Sequence, residues 1–587
     1  MAGIAFSSLR GYRRSWLSRD VVAGLTVWAV LVPEALAYAS IAGVSPVVGL
    51  YAAPPALLLY ALLGSSRHLV TGPMSATAAL SATAVAALAT AGADDYVALT
   101  TALAVVTGVV ALLAGLVRLG FVSNFISEPV IKGFIIGMAL TIIIGQVPKL
   151  LGLPSGDGDF FEKTWDVLRD LGDTSLVTLA VGVASLAVVL ALKRWLPLVP
   201  GSLVVVALGV LAATLLDLDD HGVSIVGPIA SGLPSLGLPD VAARDYLGLA
   251  GAGVGIALVG FAEGLGAAKT YAAREHYEVD ANRELVGLGA ANLGAGLSSG
   301  MVVNGSLSKT AVNGAAGARS QVSGLVVAAL TIVTLLLLTG LFENLPEATL
   351  AAVVIAAVIE LVDIGALVSF RRAWTSRLGR IYGVAARPDF IAALAALFGV
   401  LVFDTLPGLF IGVGASLFLL VYRAAHPHVA VLGRLPGTDR FGDVERYDDV
   451  QVIPGVVVVR PETGLFFANA ETVAIRIRAE VARSEASAVV IDAETVPSID
   501  LSAVRVLDGL ADDLERTGVR FAIARDVGQV RDVMAESARP ATVRRVYPTV
   551  RAAVEALADE AARPPGEGAE GAPRPPPAAS TDPPRSP

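Results

Sequence analysis

From Val21 to Tyr422 the chain returns repeatedly to long apolar runs. Their length, roughly 20 residues, is what an α-helix needs to cross the hydrocarbon core of a bilayer. Inside lipid a backbone must satisfy its own hydrogen bonds, and uninterrupted apolar runs of this length do so as helices. Composition agrees: of 587 residues, 55% are hydrophobic and only 16% are charged, where soluble domains carry about 25% charge. The chain reads as a polytopic α-helical membrane protein. Its first run, Val21 to Ile41, is long and has no clear cleavage site, so it reads as a span and not as a secretory signal. Cysteine is absent, which excludes disulfides and thiolate metal sites. Five histidines without an HExxH pattern give no metal-enzyme signature, so no cofactor and no metal is expected. No basic run interleaved with aromatics points to nucleic acid. The net charge of −9 constrains little, because the charges gather outside the apolar runs.

Apolar length and helix breakers place about fourteen segments. They lie near 20–41, 47–64, 74–91, 97–119, 128–147, 174–195, 199–217, 250–272, 284–299, 306–317, 320–342, 346–364, 388–405 and 407–424. Some are too short to cross alone. Arg10, Arg13, Arg14 and Arg19 precede the first, and Lys193, Arg194, Arg371 and Arg372 fall on the same side. The positive-inside rule makes that side cytoplasmic, and an even number of crossings leaves both termini there. The expected organisation is an N-terminal cytoplasmic segment (1–19), a transmembrane domain (20–425), a linker (426–447), an α/β domain (448–562) and a disordered tail (563–587).

Two of the short segments stand out. One starts at Gly72-Pro73-Met74-Ser75-Ala76-Thr77 and the other at Gly305-Ser306-Leu307-Ser308-Lys309. Each is third in its half of the membrane region. Interrupted segments at matching positions in two halves point to the binding site of a transporter built from inverted repeats. Pro73 fits a first helical position, where its missing N–H is not needed. A helix start within the membrane aims free N–H groups and partial positive charge at whatever lies in front of it. Lys309, one turn in, adds a full charge. A lysine at mid-span costs roughly 2.5 kcal/mol or more to insert, so its presence argues for a purpose. The plainer alternatives are a lysine snorkelling to the surface and an ordinary Pro/Gly kink.

After Tyr422 the pattern changes to soluble α/β. Strands are expected at Val456 to Val459, Ala488 to Asp492 and Arg520 to Ala524. Helices are expected over Glu471 to Arg483, over Leu501 to Thr517 and again towards Ala562. Alternation of this kind makes a small sheet with helices packed on it. The tail from Arg563 is rich in Pro, Gly, Ala and Ser, a composition without a core.

Several motifs carry a family resemblance. Leu31-Val32-Pro33-Glu34-Ala35-Leu36-Ala37-Tyr38-Ala39, with Gly43-Val44-Ser45-Pro46 and Gly49-Leu50-Tyr51 after it, resembles the sulfate-transporter signature of the SulP family. Thr71-Gly72-Pro73 with Ser75, Ser127-Glu128-Pro129, and Asn282-Arg283-Glu284-Leu285 are similar to its later segments. Leu465-Phe466-Phe467-Ala468-Asn469-Ala470 resembles part of a STAS domain. The likeness runs in order over about residues 10 to 560. It implies a seven-plus-seven inverted repeat with core and gate domains, followed by a cytoplasmic STAS domain. It further implies a homodimer in the cell membrane that carries an anion by elevator-like movement of core against gate. Substrate would lie between the third and tenth segments, lined by the first and eighth.

That resemblance sorts the polar residues. Ser75, Ala76, Ser306, Leu307, Ser308 and Lys309 are candidates to hold the anion, largely through backbone N–H groups, with Tyr38 on the lining first segment. Serine also caps helices, a role compatible with this one. Lys309 stands where many relatives carry Arg, so charge is kept and two-point geometry is lost. Glu263, an acid in the eighth segment, is the first candidate for proton coupling, with a structural bond or a pair with Lys309 as the alternatives. Sodium-coupled relatives tend to place a hydroxyl where this chain has Ala267, which favours protons. Glu34 replaces the usual Gln. Unless protonated, it would repel an anion, so it is either a second titratable group or turned away from the site. In the STAS segment Leu501 takes the place of the phosphorylated serine of bacterial antagonists, leaving Asp500 and Ser502 as helix caps. The expected function is secondary transport of a small anion, sulfate before bicarbonate or dicarboxylates, coupled to protons. A membrane anion sensor acting through a cytoplasmic partner of STAS is the rival of another class. Lys309 argues against nucleobases, and nothing resembles an enzyme's catalytic constellation.

Overall fold

The computed structural model describes residues 12–562 apart from 90–94, 122–126, 155, 157, 197–198, 360–361, 373–387, 404, 448, 540–541 and 543–544. The tail 563–587 and most of the segment 1–19 lie outside the described residues. Contacts divide the chain into two compact units, with the boundary at Leu420.

The first unit is helical. It contains α1 (Leu17–Ile41), α2 (Pro46–Leu63), β1 (Val70–Gly72), α3 (Ser75–Ala86), α4 (Tyr96–Leu116), α5 (Glu128–Leu151), α6 (Phe160–Arg169), α7 (Leu176–Trp195) and α8 (Gly201–Leu215). The second half follows with α9 (Ala243–Gly248), α10 (Ala250–Arg274), α11 (Ala281–Leu297), β2 (Asn304–Ser306), α12 (Leu307–Ala315), α13 (Val322–Val333), α14 (Glu347–Val358), α15 (Ile364–Arg372), α16 (Pro388–Phe403) and α17 (Thr405–Ala425). Among the described residues, 8 helices are long and apolar enough to cross a membrane, and four more are apolar but shorter. The half-helix α12 has only 9 residues. Past Val333, α13 continues as a π-helical turn, Thr334–Leu338. That irregular turn is anchored to α1, because Trp28 donates its indole N–H to the Thr334 hydroxyl at 3.0 Å.

The helices pack as two bundles. α1 to α4 pack with α10 to α13, and α5, α7 and α8 pack with α14 and α16. Helix association in lipid rests on close packing, which small residues permit. The α4–α11 seam shows this: a Cβ placed on Gly289 would stand 2.5 Å from the Leu112 nitrogen, and one on Gly108 2.6 Å from that of Leu293. The bundles meet where α1 touches α8 and α14 and where α3 touches α5.

The breaks before α3 and α12 solve each other's hydrogen-bonding problem. β1 and β2 pair antiparallel, with Val70 opposite Ser306, Thr71 opposite Gly305 and Gly72 opposite Asn304. Non-helical backbone at membrane depth must find partners within the protein. The expected place of Pro73 needs correction. α3 begins at Ser75 with Met74 as its cap, so Pro73 lies in the link after β1 and not at the first helical position. Its ring ends the strand, and its carbonyl is used elsewhere.

The second unit is a six-stranded sheet in the order β4-β3-β5-β6-β7-β8. The strands are β3 (Val429–Arg434), β4 (Phe441–Asp443), β5 (Val456–Pro461), β6 (Ala488–Asp492), β7 (Arg520–Ala524) and β8 (Val546–Tyr547). β5 to β8 run parallel, and β3 is antiparallel to both β4 and β5. Helices α18 (Ala470–Ser484), α19 (Leu501–Arg516) and α20 (Gly528–Ser537) cover one face. Helix α21 (Val550–Ala562) covers the other through Val550, Ala553 and Leu557. Burial on both faces explains the unbroken valine run of β5. Asp500 caps α19 by accepting from the Ala503 N–H at 2.8 Å, while Ser502 lies inside the first turn and is not the cap.

The stretch 426–447, expected as a linker, holds β3 and β4. This shifts where the chain can be cut. Truncation after Ala425 should leave a soluble, monodisperse membrane unit, because that unit has its own apolar core. Truncation after Tyr447 should aggregate, because β3 would lose β5 and expose an unpaired strand edge. Size-exclusion profiles of the two truncated proteins in detergent check this, and equal behaviour would count against it.

Candidate functional site

The residues around Lys309 are brought together by the two half-helices. Ser306 caps α12, its hydroxyl accepting from the Lys309 N–H at 3.2 Å and lying 3.1 Å from the Ser308 hydroxyl. Thr310, one turn in, donates to the Ser306 carbonyl and accepts from the Val70 N–H at 3.1 Å. These bonds tie the start of α12 to β1. Lys309 is only 1% exposed. Its Nζ stands 2.8 Å from Glu34 Oε2, donates to the Pro73 carbonyl at 3.2 Å and lies 5.1 Å from the Tyr38 ring centroid. Glu34 and Tyr38 are successive turns of α1, so one face of that helix supplies both the carboxylate and the ring.

Glu34 therefore sits on the lysine and is not turned away from it. Its Oε2 approaches closely but accepts no aligned hydrogen bond, so the contact is one of charge. Glu263 does not pair with Lys309. It is half-buried on α10 and accepts from Asn304 Nδ2 at 3.3 Å, and among the described residues it makes no ion pair. Asn304 Oδ1 in turn accepts from the Gly305 N–H at 2.7 Å, which joins Glu263 to β2.

On the other half-helix, Ser75 and Ala76 are buried. They occupy the first turn of α3, whose leading N–H groups have no partner within the helix. The Ser75 hydroxyl makes no hydrogen bond to a described residue. Leu307 and Ser308 are exposed at the start of α12, and as its first two residues they carry N–H groups with no partner within the helix. The arrangement is a pair of helix N-termini joined by a short ladder, one cation between them, and a carboxylate resting on that cation. Both helix N-termini and the ammonium place positive charge here, and the Glu34 carboxylate offsets it.

Sequence reasoning missed the frame that holds β1. Glu284 is fully buried and accepts from the Tyr60 hydroxyl at 2.6 Å, the Ser65 N–H at 2.8 Å and the Ser66 N–H at 3.0 Å. Gln321 donates to the carbonyls of Ser66 and Leu69, and Asn313 donates to that of His68. An acid and two amides within or at the end of apolar helices were a signal in the sequence, but nothing there told which loop they serve.

Residues 17–382 match the sulfate permease family and residues 447–553 match the STAS domain. A probable sulfate transporter of Mycobacterium tuberculosis strain H37Rv is 37% identical over 536 residues, covering 91% of this chain and 93% of the relative. High affinity sulfate transporter 1 of Stylosanthes hamata is 31% identical, covering 86% of this chain and 78% of the relative. Among solved structures, the murine Solute Carrier 26 family member A9 anion transporter superposes with a TM-score of 0.83 at 22% identity, over 95% of this chain and 94% of that one. The transmembrane domain of a cyanobacterium bicarbonate transporter does so at 0.58 and 22% identity, over 69% of this chain and 98% of that one. With the helical membrane unit, its paired half-helices and the α/β unit that follows, these matches make the chain a member of the sulfate permease family, a multi-pass membrane anion transporter with a STAS domain and not an enzyme.

Proposed function

We propose that the protein carries sulfate across the cell membrane together with protons, as a homodimer with both termini cytoplasmic. The observation that supports this best is the Lys309–Glu34 contact at the mouth of two half-helices. With Glu34 ionised the pair is neutral, and the carboxylate occupies the place an anion would take. A proton on Glu34 frees Lys309, and an oxyanion then meets the cation, the N–H groups of Ser75, Ala76, Leu307 and Ser308, and the hydroxyls of Ser75 and Ser308. The Ser306 hydroxyl is partly spent on capping. Proton and anion thus bind as partners. Glu263, fixed to the same ladder through Asn304, is the second place where a proton can ride.

The half-helices, the ladder and α1 all belong to the bundle of α1–α4 and α10–α13. Moved as one body against α5 and α14, that bundle would carry the anion without rearranging the site, which is the elevator reading. The test is uptake of labelled sulfate into liposomes holding the purified protein, with an imposed inward proton gradient. Accumulation above equilibrium is expected, with bicarbonate and a dicarboxylate as competitors that rank the substrates. If none of these anions is accumulated or exchanged, the reading fails. A change in protein binding to STAS on adding sulfate, without flux, would install the sensor in its place.

A further inference from the structure

We infer that a second anion-binding site, for the same oxyanion on its way to Lys309, lies in the cavity between α1 and α5, built on Lys149 and Gln146. The inference rests on the transport reading and adds a site to it. A cavity of about 270 Å³ is lined by Ala37, Ser40, Gln146, Lys149 and Glu347, among others. Bulk water takes about 30 Å³ per molecule, so an oxyanion fits with part of its hydration shell.

Gln146 and Lys149 are three residues apart on α5 and share a face. Gln146 is only 7% exposed, yet its amide has no hydrogen bond to any described residue. Its amide lines the cavity, where water or a ligand can take its hydrogen bonds. Lys149 lies 3.8 Å from Glu347, whose side chain is 41% exposed. That contact is loose beside the 2.8 Å pair of Lys309 and Glu34. An exposed pair of this kind holds weakly, and Glu347 can turn to water when an anion takes Lys149. The donors are then an ammonium and an amide, a set that suits a small oxyanion.

Position supports the same assignment. Ala37 lines the cavity and lies three residues from Glu34 along α1, on the same face. The cavity thus lies one turn of α1 from the carboxylate that rests on Lys309. The walls come from both bundles, α1 and α2 on one side and α5 and α14 on the other. The site would therefore change shape whenever the bundles slide.

The experiment is sulfate uptake kinetics in liposomes at low and high ionic strength, for the wild type, Lys149→Gln, Lys149→Arg, Glu347→Gln and Gln146→Leu. Lys149→Gln should raise KM about tenfold at low ionic strength with little change in maximal rate, and the effect should shrink in high salt. Lys149→Arg should stay near the wild type. Glu347→Gln removes the competing carboxylate and should lower KM. A purely structural ion pair would move Lys149→Gln and Glu347→Gln in the same direction, so parallel impairment overturns the inference, as does an unchanged KM in both. Should Lys149→Gln fail to fold, Glu347→Gln and Gln146→Leu still decide by the same rule, KM down for the first and up for the second. A wild type that carries no anion brings down the transport reading and this site with it. A wild type that transports, with these variants indistinguishable from it, overturns this site alone.

Discussion

Lys309→Ala should abolish sulfate uptake and weaken equilibrium binding by roughly 10- to 150-fold, the worth of one charge-assisted hydrogen bond at a buried site. The geometry makes the loss double. The cation goes, and Glu34 is left as a lone carboxylate where the anion should sit. The same geometry sets a folding control. Breaking a buried pair by removing one partner costs about 3–5 kcal/mol, so Lys309→Ala can fail by unfolding. The double variant Glu34→Gln with Lys309→Ala removes both charges and should fold, yet it should still bind sulfate poorly. Lys309→Arg keeps the charge and brings a planar fork suited to oxyanions, so it should retain much of the binding. Titration of purified, monodisperse protein with labelled sulfate reads all three. Wild-type affinity in the folded double variant would remove Lys309 from the site.

Much of this site could be read from the chain before its structure was known. Lys309 announced itself by cost, since a lysine within apolar sequence needs a reason. The two interrupted segments followed from local breakers and from their matching positions in the two halves, although α3 starts two residues later than Pro73 suggested. The pairings were not legible. The sequence offered Glu263 as a partner for Lys309, and only the packing of α1 beside α12 shows that Glu34 takes that place. The β1–β2 ladder is a contact between segments more than two hundred residues apart, made of Val, Thr, Gly, Asn and Ser that carry no strand pattern of their own. β3 was missed for a related reason. A six-residue strand soon after Pro427, with Gly433 inside it and Gly437 and Gly442 beyond it, resembles a loop until its partner β5 is in place. The valine run of β5 and the amphipathic helices α18 and α19 were legible because their patterns are local.

The two acids should separate cleanly by readout. Glu34 competes directly for Lys309, so removing its charge should raise sulfate affinity above that of the wild type. Glu34→Gln does this while keeping the size and the hydrogen-bonding atoms. Glu263 touches Asn304 and not the lysine, so Glu263→Gln should leave affinity in place. What it should lose is accumulation driven by an inward proton gradient, while exchange of internal for external sulfate continues. Binding titrations at fixed pH and gradient-driven uptake in liposomes, run on both variants, give four results that must agree. A Glu34→Gln protein with no more than wild-type affinity would show that the carboxylate on Lys309 does not set anion affinity. Undiminished gradient-driven accumulation in Glu263→Gln would leave Glu34 as the only proton carrier, and coupling would then reside wholly in the exchange of a carboxylate for a substrate anion on one lysine.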